Sequence, residues 1–103
     1  MSDVGAVPTL RVVARIKAKP EKVGEVRDLL YGLVEPTRRE FGCVSYELLQ
    51  NREDPTDFTF VEEWESDAAF ESHATSDHIK AIGPKLQPVV VDAPDIRTYL
   101  VVD

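Results

Sequence analysis

Between Phe58 and Ile79 the hydrophobic period of the chain switches from two to about 3.6, and this switch limits the fold more than any other feature. Phe58, Phe60, Glu62 and Trp64 alternate with Thr59, Val61, Glu63 and Glu65, the pattern of a strand with two distinct faces. Ser66 then offers an N-cap and Asp67 an anion for the positive first turn, so a helix is predicted to start at once. On it Phe70, His73 and Ala74 fall at i, i+3 and i+4 and share one side. Ser76 and Asp77 repeat the start signal, which predicts a short break and a new helix. A strand that runs into a helix with no linker brings Glu62, Trp64, Phe70 and His73 toward one pocket. The only tryptophan and both histidines of the chain lie in this stretch.

The remaining segments supply a scaffold of the same kind. Leu10 to Ala18 alternates as a strand with one buried face. Pro20 and Glu21 open a helix whose apolar stripe is Val23, Val26, Leu30 and Leu33, with a bend expected at Pro36 and a stop at Gly42. Cys43 to Asn51 reads as a second strand, with Val44, Tyr46 and Leu48 on one face, and Arg52 to Asp57 as a hairpin connection to the third. The helical region from Asp67 is expected to run to about Leu86, closed by Gly83-Pro84 and Pro88, and Ile96 to Val102 to form the last strand. The order β-α-β-β-α-β is that of a ferredoxin-like α+β fold, one antiparallel sheet with helices on one face. Residues 1–8 are expected to be a flexible arm and 9–103 a single domain.

Helices on one side leave the other sheet face bare. Val13, Val61, Tyr99 and Val101 alternate onto that face and ask for a second layer, so a homodimer packed sheet to sheet is expected. At 103 residues the domain would gain much from such burial. A net charge of −7 opposes nucleic acid and anionic membrane as partners. No apolar run approaches the roughly 20 residues of a membrane helix, the first eight residues lack a signal-peptide pattern, and the one cysteine forms no internal disulfide; a cytoplasmic location is the expectation.

Several local runs carry a resemblance. They are VVARIKAKP on the first strand, Thr37-Arg38, and Phe41-Gly42-Cys43-Val44-Ser45-Tyr46-Glu47. Glu62-x-Trp64-Glu65-Ser66, Ala69-Phe70, His73 and Ser76-x-His78 complete the set. In this order they resemble the antibiotic biosynthesis monooxygenase domain family, its quinol-monooxygenase-like members included, from about Leu10 to Val102. The resemblance implies a ferredoxin-like dimer whose two sheets form an α+β barrel. It also implies a small aromatic substrate and O₂, with no cofactor. Trp64 matches a pocket tryptophan of polyketide-oxidising members, whereas Phe60 and Phe70 stand where those members carry Asn and Tyr. Ala14 stands where haem-degrading members carry Asn, His73 where they carry Trp, and no histidine lies near Gly83. Haem degradation is therefore not expected.

A cofactor-free oxygenase must deprotonate a phenol or quinol, since the anion reduces O₂ readily, and must do so in a dry aromatic pocket. His73 has the chemistry of such a base and Glu62 would orient it, with His78 the second choice; Trp64, Phe60, Phe70 and Ala14 would contact substrate. The alternative for Glu62 is a structural anchor bonded to backbone or to Arg15, and Cys43 has no basic neighbour to activate it. No metal site is expected, because His73 and His78 are five residues apart, a poor spacing for joint ligation from one helix. An isomerase using the same histidine, or a non-catalytic ligand-binding domain, are the alternatives.

Overall fold

A computed structural model describes residues 9–103, so the proposed arm over 1–8 lies outside the described residues. Four strands form one antiparallel sheet in the order β2-β3-β1-β4: β1 (Leu10–Lys17), β2 (Cys43–Gln50), β3 (Asp57–Trp64) and β4 (Asp95–Tyr99). Four helices accompany them: α1 (Val23–Tyr31), α2 (Val34–Arg38), α3 (Asp67–Ala74) and α4 (Asp77–Leu86). A single 3₁₀ turn precedes α1 at Pro20–Lys22 and another follows α4 at Gln87–Val89. This is the ferredoxin-like plan, with β1 and β3 as the two central strands.

Register follows the alternation. Leu10, Val12, Ala14 and Ile16 of β1 are buried, as are Phe58, Phe60, Glu62 and Trp64 of β3. Ala14 pairs with Phe60 on one side and with Ile96 of β4 on the other, while Glu62 lies between Val12 and Tyr46. Val26 and Leu30 of α1, Leu33, Val34, and Ile82 and Leu86 of α4 close over this face and complete the core. On β2 a bulge between Cys43 and Ser45 breaks the alternation, so Val44 is exposed while Cys43, Tyr46 and Leu48 pack inward.

Some expected boundaries move. The first helical region breaks at Gly32 and Leu33, upstream of Pro36, where Leu33 N–H bonds the Leu30 carbonyl in a 3₁₀ step. Pro36 is thereby the third residue of α2, inside a first turn that needs no donor. α2 ends at Arg38, and Gly42 (φ 86°) turns the chain into β2. α4 ends at Leu86 as expected, with Gly83-Pro84 inside it. Pro84 removes one backbone bond, to Lys80, but both residues are exposed and solvent can take the freed carbonyl. The last strand ends at Tyr99 rather than Val102, because β4 pairs only with β1 and that pairing stops at Arg11.

The outer sheet face carries Val13, Val61, Leu49 and Tyr99, together with the ion pairs Arg11–Glu63, Arg15–Asp57 and Asp95–Arg97. Val61 and Tyr99 are exposed in the single chain. Val101 lies beyond the end of β4. Among the described residues no helix is long and apolar enough to cross a membrane.

Candidate active site

The site is built where β3 hands over to α3. Ser66, extended at φ −159° and ψ 164°, accepts the Ala69 N–H at 3.1 Å and so starts α3 directly after the strand. Gly42 braces the same corner. Its carbonyl accepts the Glu65 N–H, and a Cβ added to it would stand 2.5 Å from that of Ala69. At the far end of α3 the Thr75 hydroxyl bonds the carbonyls of Glu71 and Ser72, and the Ser76 hydroxyl donates to the His73 carbonyl at 2.6 Å. These bonds end α3 and set the angle at which α4 leaves.

Between the helix-side face of the sheet and α1, α3 and α4 lies a cavity of about 250 Å³. Ala14, Tyr46, Phe60, Glu62 and Ile96 form its sheet wall, and Phe70, His73, Ala74 and Ile79 part of its helical wall. The lining is mostly apolar, and Glu62 and His73 are its two ionisable groups apart from the Tyr46 phenol. Tyr46 and Phe60 stack at 4.6 Å between centroids, and the Phe70 and His73 rings lie 6.2 Å apart at 27°.

Glu62 is 3% exposed. Its Oε1 accepts the Trp64 indole N–H at 2.9 Å. Burial drives its carboxyl upward, the indole bond pulls it back and the Glu40 charge raises it further, leaving a pKa of about 7. Burial, with Glu62 beside it, also pushes the Tyr46 phenol far above its usual value, so this hydroxyl stays protonated. Burial raises the Cys43 thiol as well, in keeping with a small packed residue rather than a nucleophile.

Two expected relations are not what the structure shows. His73 is oriented by Glu40, not Glu62: its Nδ1 lies 2.6 Å from Glu40 Oε2. Arg15 cannot anchor Glu62 either, since it points to the opposite sheet face and pairs with Asp57. Trp64 is fully buried and lies behind the cavity rather than in its wall, with its indole 4.7 Å from the His73 ring. His78, near the start of α4, does not reach the cavity; its Nε2 meets the same Glu40 oxygen at 2.9 Å. Phe60, Phe70 and Ala14 do line the cavity.

Sequence reasoning missed Glu40 and Tyr46. Tyr46 had a usable signal, since it sits on β2 directly across from Glu62. Glu40 had none: it stands on the turn after α2, 33 residues from its histidine partner.

The model of the antibiotic biosynthesis monooxygenase family matches residues 9–85. YcnE of Bacillus subtilis, provisionally named a monooxygenase, is 32% identical over 90 residues, 84% of this chain and 93% of its own. A conserved protein of Methanosarcina mazei Go1 has a crystal structure that superposes with a TM-score of 0.84 at 37% identity, covering 91% of this chain and 93% of that one. A crystal structure of an antibiotic biosynthesis monooxygenase superposes with a TM-score of 0.86 at 32% identity, covering 91% and 99%. With the family model spanning most of the chain and the fold matching throughout, this protein belongs to the antibiotic biosynthesis monooxygenase family.

Proposed function

We propose that the chain is a cofactor-independent monooxygenase that oxidises a small phenolic or quinol-type aromatic with O₂. The observation that carries this reading is a buried carboxyl with a pKa of about 7 facing an aromatic-lined cavity. A phenol is ionised with difficulty at neutral pH, its ordinary pKa being about 10. Glu62 in its ionised form takes the phenolic proton, and His73, fixed by Glu40, is the second polar group at the anion. Tyr46, Phe60 and Phe70 hold the ring, and Ala14 leaves room for it on the sheet side. Trp64 acts through Glu62 by its indole bond, and His78 through Glu40.

The anion itself is the reductant. It passes one electron to O₂, the radical and superoxide combine at carbon, and the proton held by Glu62 returns to the resulting peroxide anion to give a hydroperoxide. Where that carbon began as a CH₂ group, loss of water leaves a carbonyl, with one oxygen atom in product and one in water. The residues supply deprotonation, orientation and exclusion of solvent. The test is oxygen uptake by pure protein on a panel of hydroquinones and anthrones. Turnover above the spontaneous rate supports the reading, and its absence with folded protein removes it. Proton exchange into a carbonyl substrate with no O₂ consumed would assign an isomerase instead.

The working unit in this proposal is a homodimer packed through the outer sheet faces. Val13, Val61, Leu49 and Tyr99 would form the apolar centre, and Val101 would extend it past the end of β4. Such an interface should bury roughly 2,000 Å² or more.

A further inference from the structure

We propose that Glu40, His73 and His78 form a binding site for one divalent first-row transition ion, Zn²⁺ foremost, at the rim of the substrate cavity. Glu40 Oε2, His73 Nδ1 and His78 Nε2 lie within 4.8 Å of one another. Both imidazole nitrogens are aimed at a single carboxylate oxygen, at 2.6 and 2.9 Å. A ring nitrogen's N–H and its lone pair share one direction, so the two nitrogens that now meet at that oxygen also face a common point for a metal. The five-residue spacing that speaks against joint ligation on one helix has no force here. His73 lies in the last turn of α3, His78 in the first turn of α4, and the break at Thr75 and Ser76 folds the two side chains back toward each other.

The ligand set selects the ion. Two imidazoles and one carboxylate suit borderline ions such as Zn²⁺ or Fe²⁺, whereas Mg²⁺ and Ca²⁺ take all-oxygen sites. Bonds of about 2.0–2.2 Å place tetrahedral ligand atoms about 3.3 Å apart, so the Glu40 oxygen would withdraw slightly and the two ring nitrogens, now within 4.8 Å of each other, would settle to a similar spacing. The backbone of Glu40 is held on both sides, its N–H on the Thr37 carbonyl and its carbonyl on the Cys43 N–H, so the adjustment falls to its side-chain torsions. Three protein ligands leave at least one position open. An open cleft of about 560 Å³, with Ser66, Ser72, Thr75, Ser76 and Asp77 among its walls beside Phe41, Ala68 and Ala69, reaches Glu40 from outside and gives ion and water a way in. This inference is independent of the reaction proposed above, which needs no ion, and its test reads binding rather than turnover.

Full-length protein freed of metal with a chelator is titrated calorimetrically with Zn²⁺, with Mg²⁺ in parallel as the measure of unselective attraction to an acidic surface. The expected result is one Zn²⁺ per chain at micromolar affinity or tighter, little heat from Mg²⁺, and at least about tenfold weaker binding in E40Q and H78A. Imidazole ¹⁵N spectra of the unsubstituted protein give a reading that no folding defect can blur. Zn²⁺ should bring His73 Nδ1 and His78 Nε2 to the shifts of metal-bound imidazole and fix the remaining proton of each ring on its other nitrogen. Unmoved nitrogens, no saturable Zn²⁺ heat, or wild-type affinity in folded E40Q and H78A would each overturn the site and leave a hydrogen-bonded cluster only.

Discussion

A carboxylate that faces an apolar cavity needs either a strong partner or a reason to stay protonated, and Glu62 has some of each. The Trp64 indole satisfies one oxygen, while burial keeps the pKa near 7. Because the folded value lies above the ordinary one, the folded state binds the proton more tightly than the unfolded chain. Stability is therefore full below about pH 4.5, falls as pH rises to about 7 and is flat above it. The difference corresponds to about 3 kcal/mol at most. Glu62→Gln keeps an acceptor for the indole and abolishes the titration, so urea midpoints should lose most of their decline between pH 5 and 7, and the variant should be the more stable protein at pH 8. Activity should move the opposite way. Wild-type kcat/KM should climb to a plateau as Glu62 ionises near pH 7, and the variant should lose about 10²–10⁴-fold with no such limb. His73→Ala, measured on the same substrate, should cost a comparable factor. A ligand-binding domain without catalysis would show neither loss.

At the scale of elements, the corner joining β2, β3 and α3 positions the site. Gly42 has a positive φ and no room for a Cβ against Ala69. Gly42→Ala should cost at least about 1–2 kcal/mol from the backbone alone, more with the clash, and lower the urea midpoint accordingly. Ser66→Ala should cost about 1 kcal/mol by removing the α3 cap, with the larger effect on a catalytic geometry that depends on where α3 begins. Much of this corner was legible in the sequence. The period switch after Trp64, the cap at Ser66 and the shared side of Phe70, His73 and Ala74 are local features, written within a turn or two of one another. The partner of His73 was not legible, because Glu40 arrives from a turn outside any periodic segment. The bulge at Cys43 and the break at Gly32-Leu33 were also hidden. Both resolve long-range fit between sheet and helices, which local alternation does not encode.

For the whole molecule, the fold class follows from element order, and the family match agrees with it. The assembly rests on a different kind of signal, the apolar residues left on the outer face. Arg11–Glu63 and Arg15–Asp57 sit around Val13 and Val61 there, so the interface would be apolar at its centre and charged at its rim. Unfolding midpoints should rise with protein concentration, and Val61→Asp should yield a monomer by sedimentation at micromolar concentration. A wild-type monomer with a concentration-independent midpoint would contradict the packing.

In the proposed reaction Glu62 and His73 allow a bound aromatic anion to react with O₂ directly. Single-turnover oxidation of an anthrone under ¹⁸O₂, by chelator-treated protein and analysed before carbonyl exchange, tests it most closely. The expected result is one ¹⁸O atom in each product molecule, formed far faster than in the absence of protein and reduced by about 10²–10⁴-fold in Glu62→Gln. Product oxygen drawn from water, or a rate the same in Glu62→Gln as in wild type, would rule out direct oxygenation assisted by Glu62.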